Sequence, residues 1–310
     1  MPEWKNGYFH FRESGFSIDS KEAENKVLIT HAHADHFVKY SKEIWLSKMT
    51  ANLINARYGE IPAQKINIIS ENVQFEINGS MITGYSAGHL PGSLMFKIQQ
   101  KDQPDYLYTG DFHDSPYIIS EPIHIPQIKG GILITECTLS DTEKHRSPAE
   151  EIAEELNIEM PVILDVYPLG KAQNICRLIH QIFPGRPVFI IPSIARFFKA
   201  YISEGFDTGP IRMYRERDFK NADRPVLLAP PGLYGQKPLH QFIHFYVSGI
   251  NRKNKYPYSR QLKISDHADA GIIKKVIQQS EASEVWFHHG NPGSLVQWCT
   301  DQGIVSKVFD

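Results

Sequence analysis

Val27-Leu28-Ile29-Thr30-His31-Ala32-His33-Ala34-Asp35-His36 runs from a short apolar, β-branched segment straight into three histidines and an aspartate. The apolar half reads as a buried strand and the polar half as the loop at its end. In an extended turn, residues two apart project to the same side. His31 and His33 can then clasp one cation while Asp35 and His36 turn toward a second. Alanine at both spacer positions leaves room for these side chains to converge.

Outward from this loop, two fragments supply what it lacks. Ala87-Gly88-His89-Leu90-Pro91-Gly92-Ser93 presents a histidine on a glycine-rich turn, and Tyr108-Thr109-Gly110-Asp111 ends an apolar run with a carboxylate suited to bridge two ions. Nitrogen and oxygen donors without thiolate suit Zn²⁺, Mn²⁺ or Fe²⁺. Two such ions bring a shared water toward a neutral pKa and offset the charge of a phosphodiester oxygen during in-line attack.

The bulk composition is that of a globular enzyme: 310 residues, 41% hydrophobic and 22% charged. Met1 to Ser20 has no apolar run of the signal-peptide kind. No stretch reaches the roughly 20 apolar residues of a membrane span, so a cytoplasmic protein without a membrane role is expected. Cys137, Cys176 and Cys299 are scattered and odd in number, as expected of buried apolar side chains rather than disulfides or thiolate ligands. Charge is uneven within a whole-chain net of -2: residues 161–260 hold 15 Lys+Arg against 6 Asp+Glu, and the remainder 18 against 29. A basic segment beside an acidic, histidine-bearing one suits a metal core with a polyanion-binding lid.

Short strand-like runs recur at Met81-Ile82-Thr83, Leu94-Met95-Phe96, Tyr106-Leu107-Tyr108 and Gly131-Ile132-Leu133-Ile134. Helices are expected over Ser47–Tyr58, from Ser147-Pro148-Ala149-Glu150 to about Asn157, over Ile272–Gln279 and over Leu295–Asp301. Pro161-Val162-Ile163-Leu164-Asp165-Val166, the turn Tyr167-Pro168-Leu169-Gly170 and a helix Lys171–Ile182 form one strand–turn–helix unit of an α/β fold.

H-x-H-x-D-H, then G-H, then T-G-D in this order resembles the metallo-β-lactamase superfamily, an α/β fold in which an αββα sandwich carries metals at one edge. The resemblance implies His31, His33 and His89 on a first metal, Asp35 and His36 on a second, and Asp111 between them. Asp19, in Phe16-Ser17-Ile18-Asp19, matches the early aspartate that supports the ligand loop. The implied cofactor is two divalent ions, zinc and/or manganese.

Four later fragments resemble the β-CASP nuclease branch, which inserts an α/β cap into that core. They are Leu133-Ile134-Thr135-Glu136-Cys137-Thr138, Gly170-Lys171-Ala172-Gln173, Ser265-Asp266-His267-Ala268-Asp269 and Val285-Trp286-Phe287-His288-His289-Gly290. The implied division is a core over 1–160, a cap over 161–255 and a return to the core over 256–310. Asp35, Glu136 and His267 are the implied catalytic residues, Glu136 supporting His267 as general acid for the leaving oxygen. His289 is implied to join the second metal. Thr138-Leu139-Ser140 stands where an aromatic-glycine pair is usual, and His288 where a threonine is common.

Within the branch, Arg57-Tyr58-Gly59, Tyr167 to Gln173 and Val247-Ser248-Gly249 resemble bacterial exonucleases of the DNA-ligase-associated type. That implies trimming of DNA in repair beside a ligase and a helicase. Arg212, Arg215, Arg217 and Lys220 alternate with Tyr214 and Phe219. Arg252, Lys253, Lys255 and Arg260 accompany Tyr256 and Tyr258, a mixture suited to single strands or frayed ends. Ser93, Lys171, Gln173, Arg212, Arg215, Arg252, Lys253 and Ser265 are the expected nucleic-acid contacts. An RNA-processing nuclease is the alternative, since RNA-processing members commonly carry a histidine at the His289 position. A lactonase or thioesterase would have neither basic cap nor the Glu136/His267 pair, and a scaffold would have eroded ligands.

Overall fold

The computed structural model describes residues 1–140, 146–233, 241–250 and 259–310. The chain divides into two compact units. One comprises Met1–Ser115, Ser120–Thr142 and His267–Asp310, the other Pro116–Ile119 and Glu143–Asp266.

The first unit holds two sheets. Six strands from Glu3–Lys5 to Ile66–Ile69 lie side by side in chain order, antiparallel up to Phe16–Ile18 and parallel from there on. The second sheet has seven strands in the order Val305–Val308, Glu284–Gly290, Ile132–Cys137, Tyr106–Tyr108, Leu94–Gln99, Ser80–Ser86 and Gln74–Ile77. Phe9, Phe16, Ile18 and Leu28 of one sheet pack with Phe96, Tyr106, Tyr108 and Ile134 of the other. On the far face of the second sheet, Leu107, Leu133 and Phe287 meet Ile273, Val276 and Ile277 of the helix Ala270–Ser280. A strand buried on both faces has no polar alternation, which is why Tyr106-Leu107-Tyr108 reads as an unbroken apolar run. Full burial of a large apolar side chain contributes about 1.5–3 kcal/mol.

The second unit is an all-parallel six-stranded sheet in the order Arg212–Met213, Val188–Ile190, Val226–Ala229, Val162–Asp165, Ile243–Val247 and Arg260–Leu262. Val162 and Leu164 join one core with Ile175, Ile179 and Phe198, and Ile163 joins another with Phe189, Phe219 and Leu227. This unit reaches beyond 161–255 at both ends. Before it, the helix Pro148–Glu155 starts on a Ser147/Glu150 capping box and buries Ile152 in the same core as Ile175. After it, Arg260–Leu262 extends the sheet, pairing with Phe245 to Val247. The other expected helices stand at Lys48–Tyr58, capped by Ser47, and at Lys171–Ile182, Ala270–Ser280 and Ser294–Asp301. Cys137, Cys176 and Cys299 are free and buried. Among the described residues, no helix is long and apolar enough to cross a membrane.

Candidate metal centre

The first unit gathers the candidate ligands at strand ends. Strands Phe16–Ile18 and Lys26–Leu28 run parallel, so Asp19 and Thr30 emerge side by side. Asp19 takes a left-handed φ of 49° and its backbone N–H donates to the Leu28 carbonyl at 2.9 Å. The Thr30 backbone N–H donates to Asp19 Oδ1 at 2.8 Å and the Thr30 hydroxyl to Oδ2 at 2.6 Å. The Thr30 carbonyl accepts from Leu94 N at 2.9 Å, tying this loop to the second sheet.

Two glycines make the convergence possible. At Gly88 (φ 70°) a Cβ would lie 2.2 Å from the His113 carbonyl oxygen, and at Gly110 (φ 57°) 2.7 Å from the Thr30 side chain. Only glycine tolerates both the backbone angle and the approach. Within the same turn, the Ser93 hydroxyl accepts from the backbone N–H of His89 (3.1 Å) and Leu90 (3.2 Å).

His33 Nδ1 lies 3.1 Å from His31 Nε2 and 3.2 Å from His89 Nε2. Asp111 Oδ2 lies 3.5 Å from His31 Nε2, 3.9 Å from His89 Nε2 and 3.6 Å from His36 Nε2. Donors held tetrahedrally about 2.0–2.1 Å from one ion stand roughly 3.3 Å apart, so the first four atoms suit a single cation. The tautomers agree. The Thr30 hydroxyl gives its proton to Asp19 and therefore accepts from His31 Nδ1 at 3.0 Å, leaving His31 Nε2 a free lone pair. His36 Nδ1 donates to Asp19 Oδ2 at 2.9 Å, which likewise turns its Nε2 toward Asp111. Asp19 thus orients two imidazoles through one carboxylate.

Electrostatics point the same way. Burial, followed by the neighbouring His36 and His89, holds His31 well below the usual imidazole range. For His36, burial acts downward, but Asp111 and Asp19 outweigh it and push the ring up to about 10. Burial lifts Asp111 to about 7, with His36 opposing and Glu136 assisting. Asp35 has a 73% exposed side chain, and its Oδ2 lies 3.8 Å from His36 Nε2. Burial tends to raise its carboxyl, but His36 and His33 bring it below the ordinary range.

A second group shares Asp111. The described residues contain two sets of three or more donor atoms mutually within 4.8 Å: His31, His33, His89 and Asp111, and Asp111, Glu136 and His267. Glu136 is wholly buried, accepting from Phe112 N at 3.1 Å, the Thr138 hydroxyl at 2.5 Å and His267 Nδ1 at 2.8 Å. Burial would raise its carboxyl, yet His267 and these hydrogen bonds bring it below the usual range.

His289 stands beside His36, ring centroids 5.9 Å apart, but belongs to neither converging group. It occupies a bulge where Glu136 pairs with His288 and Cys137 with Gly290. Its φ is 52°, and its Nδ1 lies 2.6 Å from that of His288. Ser93, expected at the nucleic acid, is 1% exposed and serves the His89 turn instead. Lys171 is buried and ion-paired with Asp266 at 2.9 Å. Gln173 is buried, accepting from Gly170 N and donating to the Pro168 carbonyl. The turn before this helix engages Gln173, and Asp266 engages Lys171. Arg212 and Arg215 are exposed and Ser265 is half-buried, while Arg252 and Lys253 lie outside the described residues. Thr30 and Thr138 are the site residues that motif reading passed over. The signal for Thr30 is a hydroxyl directly before the first ligand and opposite an aspartate-ended strand.

No family model matches the chain. It is 31% identical over 118 residues to the DNA cross-link repair protein SNM1 of Arabidopsis thaliana, covering 36% of this chain and 24% of that protein. It is 26% identical over 201 residues to the endoribonuclease YSH1 of Yarrowia lipolytica, covering 54% of this chain and 24% of the relative. The chain thus spans about a quarter of the length of these relatives. A solved protein of unknown function from Enterococcus faecalis V583 shares the fold, with a TM-score of 0.59 and 14% identity over 100% of this chain and 85% of that one.

Proposed function

Because the chain belongs to the β-CASP branch of the metallo-β-lactamase superfamily, we propose that it is a metal-dependent nuclease acting on single-stranded or end-frayed DNA in repair. The observation that carries this reading is Asp111 Oδ2, which faces His31, His36 and His89 on one side and His267 Nδ1, 3.7 Å away, on the other. A lactonase or thioesterase has no need of the Glu136–His267 pair beside its metals.

We assign the first unit to the metallo-β-lactamase core and the second to the cap. His31, His33, His89 and Asp111 would hold one divalent ion, and Asp111, His36 and Asp35 a second, zinc or manganese. Bound there, the pair would supply an activated water and offset the charge of the scissile phosphate. Asp19 fixes the rings of His36 and, through Thr30, His31, so that their Nε2 atoms face Asp111. Glu136 stabilises the imidazolium of His267, which can then deliver a proton to the departing oxygen. A DNA ligase and a helicase are the partners suggested by the likeness to ligase-associated exonucleases.

RNA is the second reading, favoured by the endoribonuclease relative and by the presence of His289. Incubation with end-labelled single-stranded DNA and RNA of one sequence, with Mn²⁺ or Zn²⁺, separates the two. Faster loss of DNA is expected, faster loss of RNA would favour the second reading, and cleavage of neither would contradict both.

A further inference from the structure

In the second unit, a cleft of about 530 Å³ opens at the amino ends of strands Val188–Ile190 and Val226–Ala229. Phe183, Arg186, Arg212, Asp223 and Arg224 are among the residues that line it, three arginines against one carboxylate. We propose that this cleft binds the phosphate of a nucleotide, free or within a strand. All its residues lie in the second unit, so the inference stands whether or not the metal centre cleaves nucleic acid.

Arg186 is the anchor. It is 6% exposed, its Nε donates to the Arg224 carbonyl at 2.8 Å, and Nη1 donates to the Leu156 carbonyl. Its Nη2 has no hydrogen-bond partner among the described residues. Backbone carbonyls satisfy two nitrogens but supply no countercharge, and a buried guanidinium is costly without one. Arg224 sharpens the deficit. Both guanidiniums stand over the Phe183 ring, at 5.3 Å and 6.0 Å from its centroid. Burial first and Arg224 second lower Arg186 to about 10, which still leaves it charged at neutral pH.

Glu159 and Asp223 act in the opposite direction on Arg186 but rank below burial and Arg224. Glu159 lies 3.7 Å from Arg224 Nε with a side chain 86% exposed, where solvent screens the pair. Arg212 is exposed on the strand next to Val188–Ile190 and completes the positive wall. Planar, permanently charged forks suit phosphate oxygens. Pro184, Pro187 and Ala222 give an apolar wall beside them. The volume falls in the range of small-molecule sites, roughly 300–1,000 Å³, enough for a nucleotide.

The test is calorimetric titration of the full chain with AMP, adenosine and hexathymidylate. AMP or the oligonucleotide should bind, and adenosine about tenfold or more weakly than AMP. Arg212→Glu, at an exposed position, should weaken binding about tenfold, and Arg186→Met should do so where circular dichroism shows it folded. Weakening of both AMP and oligonucleotide marks a nucleotide pocket, and weakening confined to the oligonucleotide marks a phosphate contact of a strand. Chelation of divalent cations with EDTA should leave AMP binding in place. Unchanged binding of both ligands by Arg212→Glu, adenosine bound as tightly as AMP, or loss of AMP binding in EDTA would each overturn the proposal.

Discussion

Glu136 and His267 lie 131 residues apart in the chain, yet His267 Nδ1 stands 2.8 Å from Glu136 Oε2. The carboxylate has no exposure to solvent, and the imidazole is 27% exposed. A buried base that orients a partly open histidine is the arrangement expected of a proton donor.

Replacing that histidine should therefore separate chemistry from metal binding. His267→Ala should slow cleavage by about 10²–10⁴, the typical contribution of general acid catalysis, while metal content stays near that of the wild type. Glu136→Gln should lower the rate and move the alkaline limb of the pH–rate profile to lower pH, because His267 loses the carboxylate that holds its proton. Equal loss of metal and activity in His267→Ala would mean that this ring is a ligand rather than an acid.

Thr30→Val tests the link between Asp19 and the ligand loop. The substitution keeps the side-chain shape but removes the hydroxyl that joins Asp19 Oδ2 to His31 Nδ1. Loss of such an outer partner should weaken metal affinity by about 10–100-fold. Competition against a chromophoric chelator would measure it, and an unchanged affinity would show that His31 does not depend on the bridge.

The metal-stripped chain should be most heat-stable near pH 6.5. His31 and His288 are held well below their ordinary value of 6.5, both chiefly by burial. Below that pH the unfolded chain takes protons that the folded chain refuses, so stability falls as pH drops. His36, pushed up to about 10 by its carboxylates against the effect of burial, contributes stability that is fully present below 6.5 and lost as pH rises toward 10. Asp111, lifted to about 7 by burial, offsets part of the acid-side slope, since its unfolded form ionises from 3.8 upward while its folded form keeps the proton to about 7. Metal binding must displace the protons of His36 and Asp111, so added Mn²⁺ or Zn²⁺ should stabilise more as pH rises, with proton release in weak buffer. Melting temperatures of the stripped chain that stay flat from pH 5 to 9 would contradict this.

The ligand loops were legible because each is short and local, an apolar strand ending in donors, and the structure places His31, His33, His89 and Asp111 together. Helix starts were legible where capping chemistry is written in the residues, as at Ser47 and Ser147. The extent of the second unit was not, because Pro148–Glu155 and Arg260–Leu262 join it through packing and pairing with distant residues. Ser93, Lys171 and Gln173 misled for a related reason. Polar side chains beside glycine turns look available to a ligand, but here they satisfy the turns themselves or pair with Asp266. The orientation of His289 depends on a strand bulge that no local pattern announces.

Metal content of the purified chain, measured by elemental analysis beside Asp111→Asn, tests the central claim most directly. Two divalent ions per wild-type chain and a clear loss in the variant, together with loss of cleavage, are the predicted result. A wild-type chain that takes up no cation even after incubation with Zn²⁺ and Mn²⁺, or a variant that keeps both ions, would contradict it.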